Sequence, residues 1–233
     1  MLVLSRMIEI NHYRNHFGLF VVYGQQGIGK SVYTILALKE LGLDWRDHLY
    51  FRPEEFLARI KEAYLRRQKL KVLAIDDAGF GLFAYNWNKP FVRAFVKFLN
   101  VARTVMSNII LTTPNPSMLV KKITALDAIF IKVMKDGSPQ KNTPYLRLAK
   151  GYRNIMLPSG SRMVKLVFED RFKAYLPDEE FREYLEYRYG YVGDSLDELM
   201  RSLPSIYTDF QHNTIQDQDV TKGSNAYGGR GHE

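Results

Sequence analysis

GQQGIGKS, residues 24–31, constrains this chain more than any other stretch. Gly24, Gly29, Lys30 and Ser31 stand at the spacing G-x-x-x-x-G-K-[ST]. A phosphate cradle needs glycines so that successive backbone N–H groups can turn inward without side-chain clash. It needs a lysine that reaches the outer phosphates and a hydroxyl that ligates Mg²⁺. It also needs a strand before it and a helix after it, whose N-terminus adds partial positive charge. GLFVVY (Gly18–Tyr23) reads as the buried strand, and KSVYTILALKEL, stopped by Gly42, reads as the helix.

The chain has 233 residues, of which 46% are hydrophobic, enough for one sizeable core and a small appendage. A formal charge of +8 and a pI near 9.5 favour an anionic partner such as nucleic acid. With no cysteine, disulfides and thiolate chemistry are excluded, and a structural zinc site is not expected: of the five histidines His12 and His16 stand four residues apart, with no cysteine or further histidine beside them. MLVLSRMIEI carries charge and a short apolar run, so no signal peptide is read there; no run approaches a membrane span. The expectation is a soluble, cytoplasmic protein with access to ATP.

Residues 1–16 read as a polar lead-in, in which His12, Tyr13 and Arg14 suit either a surface loop or a stack on adenine. HLYF (His48–Phe51) is a second short strand. A helix follows from Pro53, with Glu54 and Glu55 in its first turn and Phe56, Ile60, Ala63 and Tyr64 facing the core. FVRAFVKFLNVART carries a polar stripe of Arg93, Lys97, Asn100 and Thr104 on an otherwise apolar helix. Beyond AIFIKVM, the segments YLRLAK, YRNIML and RMVKLVFE read as short antiparallel strands or hairpins. LPDEEFREYLEYRYG predicts a helix ending at Gly190, with DSLDELMRSL as a further short one. The segment from about residue 209 loses apolar periodicity and is expected to be disordered.

KVLAIDDAG (Lys71–Gly79) is the second informative stretch. Ligands of open parallel sheets sit beyond the carboxyl ends of the strands. Carboxylates at that tip therefore face the phosphate site: Asp76 to bind Mg²⁺ through water, Asp77 to orient or deprotonate the attacking water. NIILTTPNPSM supplies another buried strand, Asn108–Leu111, with Thr112, Thr113 and Asn115 at its carboxyl end. Those three read equally as a strand-ending turn or as a polar group between the aspartates and the γ-phosphate.

GQQGIGKS, VLAIDDAG and NIILTTPN, in this order of strands and helices, resemble the AAA+ ATPases of the replication-initiator and helicase-loader type. The likeness covers roughly residues 15–125 and extends to small P-loop ATPases of archaeal viruses and plasmids. It implies an α/β P-loop NTPase fold: a three-layer sandwich with a mostly parallel central sheet, here with a β-rich C-terminal extension and a disordered tail. The implied division is a core over 1–135, hairpins and C-terminal helices packed on it over 136–203, and the tail over 204–233. Implied cofactors are ATP and Mg²⁺, with Gly24, Gln25, Gln26, Gly27, Ile28, Gly29, Lys30, Ser31 and Val32 around the nucleotide. Ser31 and Asp76 take the metal, Asp77 is the base, and Thr113 or Asn115 is the sensor. DNA, further copies of the chain, and a helicase or other replication or packaging protein are the implied partners.

Two features depart from that group. An Asp-Asp pair stands where Asp-Glu is commoner, and a shorter base suits slow, switch-like turnover. The β-rich pattern after residue 125 replaces the expected three-helix lid, leaving Arg103, Arg147, Arg153 and Arg162 as candidates for an arginine finger. Strand additions in place of a lid are nearer the packaging and translocating branch. The expectation is thus a DNA-acting ATPase in replication initiation or helicase loading, with a DNA-translocating or packaging ATPase as the alternative. A kinase would need an arginine-rich lid, and RRQK (Arg66–Lys69) precedes the acidic strand instead. No N-K-x-D guanine-reading motif occurs, which favours ATP.

Overall fold

The computed structural model describes residues 1–78, 90–119, 121–124, 126–137, 145–157 and 159–202. The segment 79–89, rich in glycine and aromatics, and the tail expected from residue 204 lie outside the described residues.

Among the described residues seven strands form one mixed sheet in the order β2-β3-β4-β1-β5-β6-β7. β1 (Gly18–Tyr23) pairs in parallel with both β4 (Asn108–Thr113) and β5 (Ala128–Lys135). β3 (Leu73–Ile75) pairs in parallel with β4 and with the two-residue edge strand β2 (Leu49–Tyr50). β6 (Leu146–Met156) and β7 (Arg162–Lys173) extend the same sheet as an antiparallel hairpin. GLFVVY is apolar almost throughout because a central parallel strand is covered on both faces.

On one face, Leu19, Val21, Leu73, Ile75, Ile109 and Leu111 share a core with helices α3 (Pro53–Leu65) and α4 (Pro90–Leu99). α3 contributes Phe56, Ile60 and Ala63; α4 contributes Val92, Phe95 and Leu99, and the short helix α5 (Lys121–Thr124) adds Ile123. Strand alternation sends Phe20 and Val22 to the other face, where α1 (Val3–Tyr13) and α2 (Lys30–Glu40) bury Leu4, Ile8, Ile35 and Leu38. Layers of helix, mostly parallel sheet and helix, with a glycine loop joining β1 to α2, make this a P-loop NTPase fold. Among the described residues no helix is long and apolar enough to cross a membrane.

Several local expectations change. The stretch read as a lead-in is helix α1, anchored by Leu4 and Ile8 at 0% exposure. Its Asn11 and His12 bond Asn108 and Ser107 beneath the amino ends of the strands, at the end of the sheet away from the glycine loop. Tyr64 is 66% exposed, because the buried stripe of α3 is only as wide as Phe56, Ile60 and Ala63. β4 runs on through Thr112 and Thr113, both fully buried. YLRLAK and YRNIML join into the single strand β6, and a bulge at Gly151/Tyr152 absorbs the change of register. The last of the described helices, α6, is continuous over Asp178–Ser202. A glycine stops a helix where it adopts positive φ: Gly42 does so at φ 71° and ends α2, whereas Gly190 does not.

Two compact units divide the chain. The first, Met1–Phe181, takes in the whole sheet; the second begins at Arg182, and its described part is the remainder of α6.

Candidate nucleotide site

The loop from Gly24 to Gly29 leaves β1 at its carboxyl end and enters α2. Its three glycines have φ of 149°, 72° and 103°, values that side chains resist. Two are fixed sterically as well. A Cβ on Gly24 would stand 2.5 Å from the Val133 carbonyl oxygen, and one on Gly29 would stand 2.7 Å from the Ala174 methyl. Gly29 is also the N-cap of α2 and offers no side-chain cap, so the first N–H groups of the helix remain for an anion.

Lys30 is 7% exposed and lies over the loop, donating from Nζ to the carbonyls of Gly24 at 3.1 Å and Gln25 at 3.2 Å. Ile28 is buried, Gln25, Gln26 and Gly27 are exposed, and Ser31 and Val32 are half-buried at the start of α2. The chain's own β6–β7 hairpin braces the loop from outside. Arg147 Nε donates to the Ile28 carbonyl at 3.0 Å, and the Phe172 ring packs on Tyr33 of α2 with centroids 4.8 Å apart.

Asp76 and Asp77 follow β3 directly. Asp76 is 1% exposed, and its backbone N–H donates to the Tyr50 carbonyl of β2 at 2.8 Å. Asp77 has φ 50°, a left-handed conformation that aspartate tolerates better than most residues. One side chain joins the two: Thr112 Oγ1 donates to the Asp76 carboxylate and accepts from the Asp77 N–H at 2.9 Å. The parallel register that sets Ile75 beside Leu111 brings Asp76 level with Thr112.

Thr113 and Asn115 make different bonds. Thr113 Oγ1 donates to the Asn115 carbonyl, and Asn115 Oδ1 accepts from the Ser117 N–H, both at 3.0 Å. These bonds hold the turn after β4. Thr112, which the sequence reading named beside Thr113 and Asn115 but did not carry forward as the sensor, is the residue bonded to the aspartates. Choosing it requires the β3–β4 register, which a single sequence does not contain. Thr112→Val keeps the shape but removes the hydroxyl that accepts from the half-buried Asp77 N–H and donates to Asp76. Turnover should fall about tenfold to a hundredfold, the worth of one hydrogen bond to a charged group. Nucleotide affinity should change little. Steady-state turnover beside titration with a fluorescent nucleotide separates the two; equal losses in both would contradict this role.

Ser31 and Asp76 provide two hard oxygen donors, and no group of three or more carboxylate or histidine ligands occurs among the described residues. That donor set fits Mg²⁺, which keeps waters and substrate phosphates as its remaining ligands, better than an ion needing an all-protein cage.

Arg103 precedes β4, and Arg153 lies opposite Ile129 at the start of β5, so both sit at the amino ends of the parallel strands. There they line a cleft of about 500 Å³ with Asp127, and Arg153 Nε stands 3.4 Å from the Asp127 carboxylate. This cleft is at the opposite end of the sheet from the glycine loop. The side chain of Arg162 lies outside the description.

No family model matches the chain. Uncharacterized protein B-251 of Sulfolobus spindle-shape virus 1 is 28% identical over 207 residues, covering 83% of this chain and 82% of that protein. Uncharacterized protein ORF286 of Acidianus two-tailed virus is 34% identical over 110 residues, 44% of this chain and 38% of the other. Among solved structures, the N-terminal domain of zonular occludens toxin from Neisseria meningitidis overlaps with a TM-score of 0.39 and 14% identity, over 66% of this chain and 95% of that one. The genome packaging NTPase B204 of Sulfolobus turreted icosahedral virus 2, in complex with ATP-gammaS, has the same TM-score and identity over 65% and 98%. Neither overlap identifies an activity.

Proposed function

We propose that the chain is a Mg²⁺-dependent ATPase that acts on DNA as a translocating or genome-packaging motor of a virus, in the cytoplasm of its host. One observation carries the choice of motor. The sheet continues past β5 into the β6–β7 hairpin, which braces the nucleotide loop through Arg147, Phe172 and Ala174. Strands therefore stand where the initiator and loader group carries a helical lid. The charge of +8 suits a polyanionic track, and relatives in two viruses support a viral role.

Hydrolysis would run as phosphoryl transfer to water. Loop amides and Lys30 hold the outer phosphates, and Asp77 orients the water and draws off its proton. Thr112 fixes the spacing of the two aspartates. Ser31 and Asp76 would hold Mg²⁺, which supplies charge neutralisation at the phosphates. Arg103 and Arg153 stand at the far end of the sheet, so either could serve only the loop of a neighbouring copy. Such a finger contributes on the order of 10³–10⁵ in rate and would couple turnover to a homo-oligomer. The domain limits follow the same reading: a nucleotide core to about residue 135, then the bracing hairpin and α6.

The second reading, replication initiation or helicase loading, is favoured by the Asp-Asp pair, whose shorter base suits slow turnover. ATP turnover with and without duplex and single-stranded DNA, beside displacement of streptavidin from a biotinylated duplex end, tests the choice. A motor shows turnover raised severalfold by DNA and ATP-dependent displacement. Slow turnover indifferent to DNA, without displacement, would overturn the motor and favour the loader.

A further inference from the structure

Helices α3, α4 and α5 cover one face of the sheet as far as β5, where Ala128 belongs to their core and Phe130 packs against it. Past that point the same face carries exposed side chains: Val164 is 65% exposed and Leu166 45%. Tyr23, Phe130, Lys132, Tyr152, Asn154 and Val164 line a cleft there of about 360 Å³. Register explains the grouping. Phe130 of β5 lies beside Tyr152 of β6, which lies beside Leu166 of β7; Tyr23 of β1 lies beside Lys132. Burial raises the Tyr23 pKa, and the neighbouring Tyr152 adds to that, as expected of two phenols facing one recess. Tyr23 is also the residue immediately before Gly24 of the nucleotide loop.

We propose that this face is a platform for single-stranded nucleic acid, with bases stacking on Tyr152 and Phe130 and a phosphate on Lys132. It deepens the DNA-acting reading above and rests on it. The chemistry selects the occupant. Every base has a π-face that an aromatic side chain can stack on, whatever the sequence, and a lysine two residues along β5 from Phe130 suits a backbone phosphate. Asn154 offers a donor and an acceptor to base edges. Among the described residues Lys132 is the sole charged residue lining the cleft, and it is exposed, so the recess they form is positive in a chain already at +8. A second copy docked face to face would bring two such lysines together, and a purely apolar partner would bury Lys132 without a counter-charge.

The test is fluorescence anisotropy of a labelled oligothymidylate with the full chain and four variants: Tyr152→Ala, Tyr152→Phe, Lys132→Glu and Lys132→Ala. Thermal melts, binding of a fluorescent ATP analogue and sedimentation are measured on the same samples. Tyr152→Ala and Lys132→Glu should each weaken strand binding about tenfold, and Tyr152→Phe should keep it. Lys132→Ala should reduce the slope of log affinity against log salt by about 0.7, the share of one phosphate contact on a single strand. Melting and ATP binding should not move.

Unchanged strand affinity in folded variants would overturn the platform. If DNA still raises ATP turnover in that case, the DNA-acting reading stands and the contact lies elsewhere. If the unaltered chain neither binds the oligonucleotide nor responds to any DNA, both fall. Unchanged affinity with a loss of oligomers would assign the face to a second copy. Unchanged affinity with cross-linking from position 152 to residues 79–89 would assign it to the chain's own segment. Either outcome overturns the proposal.

Discussion

Lys30→Ala should weaken ATP binding about tenfold to a hundredfold and take turnover to background, while Asp77→Asn should bind ATP almost normally and turn over about 10²–10⁴-fold more slowly. The two differ because the two groups act at different moments. The Lys30 ammonium is held within 3.2 Å of two loop carbonyls, at the mouth of the α2 N-terminus. On the proposed mechanism it meets the phosphates in the ground state, so its loss would be a loss of affinity of the size of a charge-assisted bond. Asp77, as the proposed base, would matter only as the water loses its proton, so its loss would appear in turnover, at the scale of general-base catalysis. Fluorescent-nucleotide titration and phosphate release measure the two separately. Normal turnover in Asp77→Asn would remove the base from this residue, and normal affinity in Lys30→Ala would remove the loop from nucleotide binding.

The largest effect on stability is expected at Asp170. This carboxylate is 5% exposed and accepts from the Tyr33 hydroxyl at 2.6 Å, the Val3 N–H at 2.8 Å and the Leu4 N–H at 3.3 Å. It ties the N-terminus of α1 and the first turn of α2 to β7, and it places negative charge at the positive end of α1. Burial first, and then the Asp170 carboxylate, hold the Tyr33 pKa well above 10. Asp170→Ala strands three donors in the interior, and desolvated groups without partners cost about 1–3 kcal/mol each, with incomplete additivity. A loss of about 3–5 kcal/mol is expected, which for a chain of this size lowers Tm by roughly 10 °C or more. Thermal melts by circular dichroism check this. A shift of a degree or two would mean that α1 docks without the carboxylate.

What the sequence disclosed, and what it hid, follows the range of the interactions. The loop, its strand and its helix are local: four fixed residues and two periodic flanks within about twenty-five positions carry the pattern. The aspartates at the end of β3 are equally local. Thr112 is not, because its role depends on which residue of β4 lies level with Asp76. Arg147 appeared among several arginines without a place; its bond to Ile28 spans 119 residues. α1 was misread because its apolar side is short, with Leu4 and Ile8 its fully buried hydrophobics. Its stability comes from docking on α2, β4 and β7 more than from its own periodicity. The open face of β5–β7 was hidden for the opposite reason: strand alternation marks two faces but does not say which one a helix covers.

The braced loop also bears on the order in which the molecule is made. Residues 24–30 leave the ribosome more than a hundred residues ahead of the groups that wall them, Arg147, Phe172 and Ala174. Asp170, which fastens α1, follows Leu4 by 166 residues. A nascent chain that has emitted only its parallel strands therefore holds a glycine loop with no outer wall and a first helix with no anchor. Such long-range closure is slow, and it leaves apolar surface uncovered in the meantime. Nucleotide capture would then be one of the last properties the chain acquires, and a transcript cut short before β7 should yield a product that chaperones retain and ATP does not rescue.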